Sequence, residues 1–143
     1  GETNFIANAS NFSSIIFTNL KDVNWVGFYL VSDKELILGP FHGNPACIRI
    51  PVGKGVCGVS AHTKRTIVVD DVRKFPGHIP CDPSSKSEIA IPLIVKNTVY
   101  GILDIDSTIL NRFSDIDKDK LEELANMLIN SSDMEALRQY YQY

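Results

Sequence analysis

The sequence is poor in cysteine and in long apolar stretches, and each shortage excludes a class of protein. Three cysteines among 143 residues are too few, and odd in number, for a disulfide-stabilised secreted scaffold, so we expect a cytoplasmic protein. The longest apolar run, residues 25–31, is too short to cross a bilayer. Because the polar first residues also lack the basic and apolar regions of a signal peptide, we expect no membrane association.

The chain has no excess of positive charge either. Fourteen lysines and arginines stand against seventeen aspartates and glutamates, and the net charge is -3. Since binding to phosphate backbones depends on a field of positive charge, we expect no nucleic-acid partner. The remaining composition, 44% hydrophobic and 22% charged, is typical of a folded protein, and the length suits a single domain over residues 1–143.

Hydrophobic spacing predicts an α+β domain in which a central antiparallel sheet is flanked by helices on its faces. Helical spacing covers residues 5–20 and 114–128, and β-hairpins are predicted at 23–41 and 88–106. Short strands are predicted at 46–51 and 66–69, with a helix between them that runs toward Thr63. This order does not alternate as in a doubly wound fold. A loop without periodicity covers residues 70–87, and loops of this length are usually functional or disordered.

Residues 53–58 satisfy the dinucleotide-binding pattern Gly-x-Gly-x-x-Gly. The pattern here follows a third or fourth strand and has no βαβ unit around it. We therefore interpret it as a tight turn whose glycines permit positive φ and close backbone approach. A structural zinc site is also disfavoured, because the cysteines show neither Cys-x-x-Cys spacing nor close Cys/His pairing.

Two of the cysteines lie in unusual local settings. Cys57 falls in the first turn of the helix that follows the glycines, where free N–H groups and the helix dipole favour a thiolate. Cys81 lies in the long loop, with His78 three residues before it. A lone cysteine is about as often an inert buried thiol. Three cysteines in or beside loops rich in glycine and proline are harder to explain as inert.

The hairpin at 88–106 carries a second group of candidate residues. Asp104 and Asp106 alternate with apolar residues, so they share one face of the strand, about 7 Å apart. An antiparallel pairing centred on Asn97 brings Glu88 close to Asp106. Crowded carboxylates tend to raise one pKa and leave a proton donor at neutral pH. Spacing alone slightly favours the alternative, a solvated strand face.

Seven segments together carry a resemblance to a known family. They are residues 24–29, 38–41, 45–47, 53–58, 75–82, 86–89 and 103–107. In sequence they resemble the free methionine-(R)-sulfoxide reductases, a catalytic branch of the GAF domains, over about residues 5–130. The cysteine gaps of ten and twenty-four residues also agree. Pro80 departs from the pattern, since the family usually has alanine directly before this cysteine.

The resemblance implies reduction of the R epimer of free methionine sulfoxide by cysteine thiols. In that chemistry a thiolate attacks the sulfoxide sulfur, an acid protonates the oxygen, and methionine leaves a sulfenic acid on the protein. A second cysteine then closes a disulfide, which thioredoxin reduces by exchange. By motif, the resemblance implies Cys81 as the nucleophile and Cys47 as the resolving thiol, with Cys57 as an alternative partner or nucleophile.

The same resemblance implies roles for the polar and aromatic candidates. Glu88 and Asp106 would hold and protonate the sulfoxide oxygen, and Asp104 would help to bind the substrate. Trp25 would lie against the S-methyl group, with Tyr29 also lining the pocket. No metal and no organic cofactor is implied. GAF domains often dimerise through flanking helices, so a homodimer is a further expectation.

Two other functions are consistent with a GAF-like sequence. One is a non-catalytic module that binds a small molecule and signals to a partner domain. The other is a structural interaction domain, which would leave the carboxylates and loop cysteines without a purpose.

At the chain end, residues 132–143 add a helix that resembles one found in the family before the segment matching Phe5. We therefore expect an extra or displaced helix there, in a truncated or permuted order of segments.

Overall fold

The computed structural model describes residues 1–140, which form an antiparallel sheet between two unequal layers. The six strands lie in the order β3-β2-β1-β6-β5-β4. Their bounds are β1 Val23–Ser32, β2 Glu35–Gly43, β3 Arg49–Pro51, β4 Ile67–Val69, β5 Ser87–Val95 and β6 Thr98–Ser107. The helices are α1 Phe5–Asn19, α2 Gly55–Thr63, α3 Asp115–Asn130 and α4 Met134–Tyr140. The predicted α+β class and the flanked antiparallel sheet are confirmed.

One face of the sheet packs against α1, α3 and α4 and forms the larger apolar core. Every second residue of the central strands points to this face. The helices cover these residues with buried side chains such as Phe5, Leu121 and Leu137. Period-2 alternation on β1, β5 and β6 assigns the intervening residues to the other face. That second face packs against α2 and the long loop, and it includes Trp25 and Tyr29.

The β5–β6 hairpin contains an irregularity that sets which residues face each layer. Its turn, Lys96 and Asn97, has positive φ at both residues, as expected of the tight two-residue turns that match strand twist. Between Leu93 and Ile94 the register then shifts, so that Tyr100 is an extra residue on β6. Beyond this bulge Glu88 is paired with Asp106, as the pairing centred on Asn97 predicts.

Helix α3 begins at the capping box that the sequence indicates. The Ser114 hydroxyl accepts a hydrogen bond from the backbone N–H of Asp117, and the Asp117 carboxylate accepts one from the backbone N–H of Ser114. Both bonds satisfy amide groups that the first turn of a helix leaves free.

Within residues 1–140, no helix combines the length and apolar character needed to cross a membrane.

Two segments differ from the expectation. The strand predicted at 46–51 begins only at Arg49, and Cys47, two residues earlier, makes instead the covalent and hydrogen-bonded contacts described below. The long loop, predicted to be irregular over 70–87, contains a single turn of 3-10 helix at Val72–Lys74, with Asp71 accepting from the Arg73 amide at its start.

The last helix packs beside the first. The backbone N–H of Asp133, which precedes α4, donates to the Thr3 carbonyl at 2.7 Å, and Asn8 donates to the Ser132 hydroxyl at 3.1 Å. Of the helix expected over 132–143, residues 141–143 lie outside the described residues. The expected permuted or truncated order of segments stays a prediction.

Candidate active site

A pocket opens between the second face of the sheet, α2 and the long loop. The space open to the centre of a water molecule is about 30 Å³, room for one or two waters. Seven of the eight residues proposed from sequence line it, namely Trp25, Tyr29, Cys57, Cys81, Glu88, Asp104 and Asp106. The eighth, Cys47, is bonded to Cys81. The fold therefore brings all eight candidates to one place.

Cys47 and Cys81 form a disulfide at this pocket, with a Cα–Cα distance of 5.3 Å and a sequence separation of 34 residues. The Tyr29 hydroxyl donates to the Cys47 carbonyl at 2.9 Å, which fixes the loop after β2 against β1. Cys57 is the free cysteine, and it is buried. Two cysteines from separate loops thus pair at the pocket while the third stays a thiol.

Hydrogen bonds from β1 hold the loop that carries Cys81. The Asn24 side-chain amide donates to Asp82 at 3.2 Å and to the Ser85 hydroxyl at 3.0 Å. On the Cys47 side, the Trp25 indole N–H donates to the Asn44 carbonyl at 3.1 Å. Neighbouring residues of one strand therefore position both cysteine loops.

The three carboxyl side chains come from the centre of the sheet. Glu88 on β5 is paired with Asp106 on β6, and Trp25 on β1 is paired with Asp106 from the other side. Glu88 is 6% exposed and Asp104 is 5% exposed. The interpretation of a solvated strand face is therefore wrong, because α2 and the long loop cover this part of the sheet.

Burial and crowding keep these carboxyls protonated to higher pH than usual. Burial raises the pKa of Glu88, and the charges of Asp104 and Asp106 raise it further. Burial, followed by the charge of Asp104, raises the pKa of Asp106. Burial raises the pKa of Asp104 to about 6, although hydrogen bonds to Glu88 and Cys57 oppose it. These shifts have the direction predicted from crowding, since neighbouring charges raise the pKa of Glu88 and of Asp106. Burial, however, raises both pKa values more than crowding does.

Cys57 lies in the first turn of α2 as predicted, but its electrostatics are the reverse of the expectation. Burial, then the charges of Asp104 and Glu88, raise the pKa of the Cys57 thiol well above its ordinary value. The thiol donates to Glu88 Oε1 at 3.7 Å. Helix N-termini favour thiolates by a modest amount, and here desolvation and neighbouring carboxylates outweigh that effect.

Aromatic rings form the wall of the pocket on β1. Trp25 is 2% exposed, stacks on Phe41 with ring centroids 5.4 Å apart and lies 5.9 Å from the Tyr29 ring. Gly27, between them on β1, leaves room for this packing, since a Cβ there would lie 2.4 Å from Phe41 Cβ. The wall is therefore closely packed and apolar beside the carboxyl cluster.

The glycine motif forms a tight turn between β3 and α2. Gly53 and Gly55 have positive φ, at 86° and 61°. A Cβ on Gly58 would lie 2.4 Å from the Pro51 carbonyl oxygen, so only glycine allows α2 to approach β3 this closely. The interpretation as a tight turn is confirmed.

His78 is a pocket residue that the sequence candidates did not include. Its Nε2 lies 3.9 Å from Glu88 Oε2, and burial lowers its pKa, so it is a neutral imidazole beside the carboxyl cluster near pH 7. The position three residues before Cys81 was the available signal.

Cys57, Glu88 and Asp104 also offer ligand atoms that all lie within 4.8 Å of one another, a set that could hold a metal ion.

Comparison with known proteins places this site in a family. The GAF domain profile matches residues 13–131. The Escherichia coli free methionine-R-sulfoxide reductase is 50% identical over 128 residues, which cover 90% of this chain and 78% of that protein. The chain belongs to the free methionine-R-sulfoxide reductase family of GAF domains.

Solved structures of this reductase family superpose closely on the chain. The reduced form of fRMsr from Staphylococcus aureus is 50% identical, with a TM-score of 0.88, and the match covers 91% of this chain and 84% of that one. The Neisseria meningitidis free methionine-R-sulfoxide reductase, in complex with its substrate, is 42% identical with a TM-score of 0.89 and coverage of 97% and 83%. The resemblance read from short segments is thereby confirmed, together with the GAF fold.

Proposed function

We propose that this protein reduces the R epimer of free methionine sulfoxide to methionine, with its own cysteines as the immediate reductant. The observation that carries the proposal is the Cys47–Cys81 disulfide at a pocket lined by carboxyls of raised pKa. A thiol pair supplies two electrons, and a protonated carboxyl supplies the proton that the sulfoxide oxygen needs. Identity to proteins named for this activity supports the same function.

The proposed cycle begins with Cys81 as a thiolate. Its sulfur attacks the sulfoxide sulfur while Glu88 or Asp106 protonates the oxygen, and the oxygen passes to Cys81 as methionine leaves, so the product on the protein is a sulfenic acid. The Cys47 thiol then attacks that sulfur, the oxygen leaves as water, and the disulfide forms. The sulfoxide sulfur is reduced by two electrons, and two thiols are oxidised to one disulfide.

Cys57 fits neither thiol role well. A thiol whose pKa is raised by burial and carboxylates is a poor nucleophile at neutral pH, because the thiolate is the reactive form. Its hydrogen bond to Glu88 instead suits a residue that orients the proton donor. We therefore keep Cys81 as the nucleophile and Cys47 as the resolving thiol.

The pocket supports a small substrate that binds after the disulfide opens. With Cys47 and Cys81 bonded, the open space of about 30 Å³ is too small for an amino acid, so reduction precedes binding in the proposed cycle. Trp25 would lie against the S-methyl group, Tyr29 would line the same wall, and Asp104 would help to bind the substrate. Enclosure by the loop after β4 favours the free amino acid over methionine sulfoxide within a polypeptide.

Reduction of the disulfide requires an external thiol donor. We propose thioredoxin in this role and a reducing compartment such as the cytoplasm as the setting, because the cycle stops wherever the disulfide cannot be reduced. A homodimer through the flanking helices also remains part of the proposal.

The test is a turnover assay on the separated R and S epimers of free methionine sulfoxide with a thioredoxin system. We expect methionine from the R epimer alone. In a single turnover without reductant, Cys81→Ser should release no methionine, whereas Cys47→Ser should release one equivalent and then stop. Release of methionine by Cys81→Ser but not by Cys57→Ser would exchange their roles. A protein that binds the sulfoxide without losing thiols would be a sensor.

A further inference from the structure

The floor of the pocket gathers acidic side chains without a matching cation. Cys57, Glu88 and Asp104 are all buried, and Asp106 lies beside them in the pocket. Among residues 1–140, neither lysine nor arginine is found in the pocket lining. A group of acidic side chains crowded in a poorly solvated space is stabilised by bound protons or by a bound cation.

One oxygen of this group also has no partner. Asp104 Oδ1 is buried and, within the described part of the chain, accepts no hydrogen bond, although its residue is only 5% exposed. Buried polar atoms are nearly always satisfied, and an exception calls for an explanation such as an ion. A carboxylate oxygen of the same side chain belongs to the set of ligand atoms that lie within 4.8 Å of one another.

The distance between the Cys57 and Glu88 ligand atoms suits a small tetrahedral cation. Zinc binds a thiolate at about 2.3 Å and a carboxylate at about 2.0–2.2 Å, which places ligand atoms roughly 3.3–3.6 Å apart. Cys57 Sγ and Glu88 Oε1 are already 3.7 Å apart. A fourth position is left to water or to His78, whose Nε2 lies 3.9 Å from Glu88 Oε2.

We propose that Cys57, Glu88 and Asp104 bind a divalent cation of the zinc class, and that the bound cation inhibits the protein. A thiolate in the ligand set favours zinc or cadmium over magnesium or calcium, which prefer oxygen ligands alone. Binding releases the thiol proton, and any carboxyl proton, to solvent. Inhibition rests on the proposed function, because a metal-bound Glu88 can no longer donate a proton, whereas binding itself does not depend on that function.

The disulfide form offers a clean binding experiment. With Cys47 and Cys81 bonded, Cys57 is the single thiol, so any thiolate-to-metal charge-transfer band must come from it. The oxidised protein is titrated with Co²⁺ without reductant, and the near-ultraviolet band is followed; Zn²⁺ is then added to displace the cobalt. We expect saturation at one equivalent and bleaching by zinc.

Variants assign the ligands. Cys57→Ser should abolish the band, and Asp104→Asn, which keeps the thiol, should weaken cobalt binding by about tenfold or more. Asp119→Asn, an exposed carboxyl on α3, is the matched control and should bind as the parent does. No band at millimolar cobalt, or equal affinity in the Asp104 and Asp119 variants, would overturn the site.

A separate measurement tests the inhibition. Zinc should suppress single-turnover methionine release by the reduced Cys47→Ser variant, and removal of zinc with a chelator should restore it. Failure of the proposed function would show as no methionine without zinc. Failure of the inhibition would show as normal release at zinc concentrations that saturate the cobalt site.

Discussion

Opening the Cys47–Cys81 disulfide should lower the free energy of unfolding by an amount that the loop length sets. The bond closes a loop of 34 residues. In the chain-entropy treatment, a closed loop of this length removes enough freedom from the unfolded chain to stabilise the native state by about 4 kcal/mol at 25 °C. The reduced protein should stay folded, because the hydrogen bonds from Asn24 and Tyr29 still hold both cysteine loops.

Urea unfolding of the oxidised and the dithiothreitol-reduced protein measures this difference. The chain contains one tryptophan, and Trp25 is 2% exposed beside the site, so its fluorescence reports directly on the region. We expect the oxidised form to be more stable by about 2–4 kcal/mol, since measured values often fall below the entropic limit. The slope of the free energy of unfolding against urea concentration must be fitted separately for the oxidised and the reduced protein, because a cross-link also changes the surface exposed on unfolding.

The cysteine variants provide the controls. Cys47→Ser and Cys81→Ser should unfold at the same urea concentration with and without dithiothreitol. Cys57→Ser should keep the full difference, because that thiol takes no part in the bond. A difference below about 1 kcal/mol in the parent protein, against the 2–4 kcal/mol typical of native disulfides, would refute the reasoning, as would a dithiothreitol effect that survives in Cys47→Ser.

Three further expectations concern activity and stability. Glu88→Gln should lower the single-turnover rate of methionine release by about 10²- to 10⁴-fold, the range of general acid catalysis, with the fold intact by circular dichroism; a near-normal rate would remove this carboxyl from the mechanism. Gly27→Ala should destabilise the protein by about 1–3 kcal/mol in urea, because overpacking costs that much and the new Cβ would lie 2.4 Å from Phe41 Cβ; an unchanged midpoint would show that the wall is soft. Since folding raises the pKa of Asp104 from 3.8 to about 6, the folded state binds its proton more tightly, so stability should fall as pH rises through that interval. Asp104→Asn should lose this part of the pH dependence, and an unaltered slope would contradict it.

The β5–β6 hairpin and the α3 cap could be predicted because their signals are local. Alternation of apolar residues fixes which side chains share a face, and Ser114 with Asp117 supplies a complete capping pattern. The pairing of Glu88 with Asp106 follows from the same local pattern. The α+β class follows from the order of such elements.

The environment of the site could not be predicted in this way, because it depends on residues distant in sequence. Burial of Asp104 and the raised pKa of Cys57 arise from α2 and the long loop packing over the sheet. The spacing of residues along one strand indicates neither the burial of Asp104 nor the raised pKa of Cys57. The Asn24 contact with Asp82 spans 58 residues and has no pattern of its own, so the anchoring of the cysteine loops was also invisible.

Tyr100, the extra residue in β6, decides which residues of β5 and β6 are paired and which face of the sheet they occupy. The same two-residue turn without Tyr100 as an insertion would pair Glu88 with Ile105 and turn its carboxyl toward the helices, since a one-residue slip exchanges the two faces of a strand. Tyr100 itself faces the helical core, where its hydroxyl donates to Glu135 of α4 at 2.5 Å. Regular pairing of the same residues without the bulge would therefore place an unpaired acid in an apolar core, and would dismantle the acid cluster from the far end of the hairpin without changing any residue of the pocket.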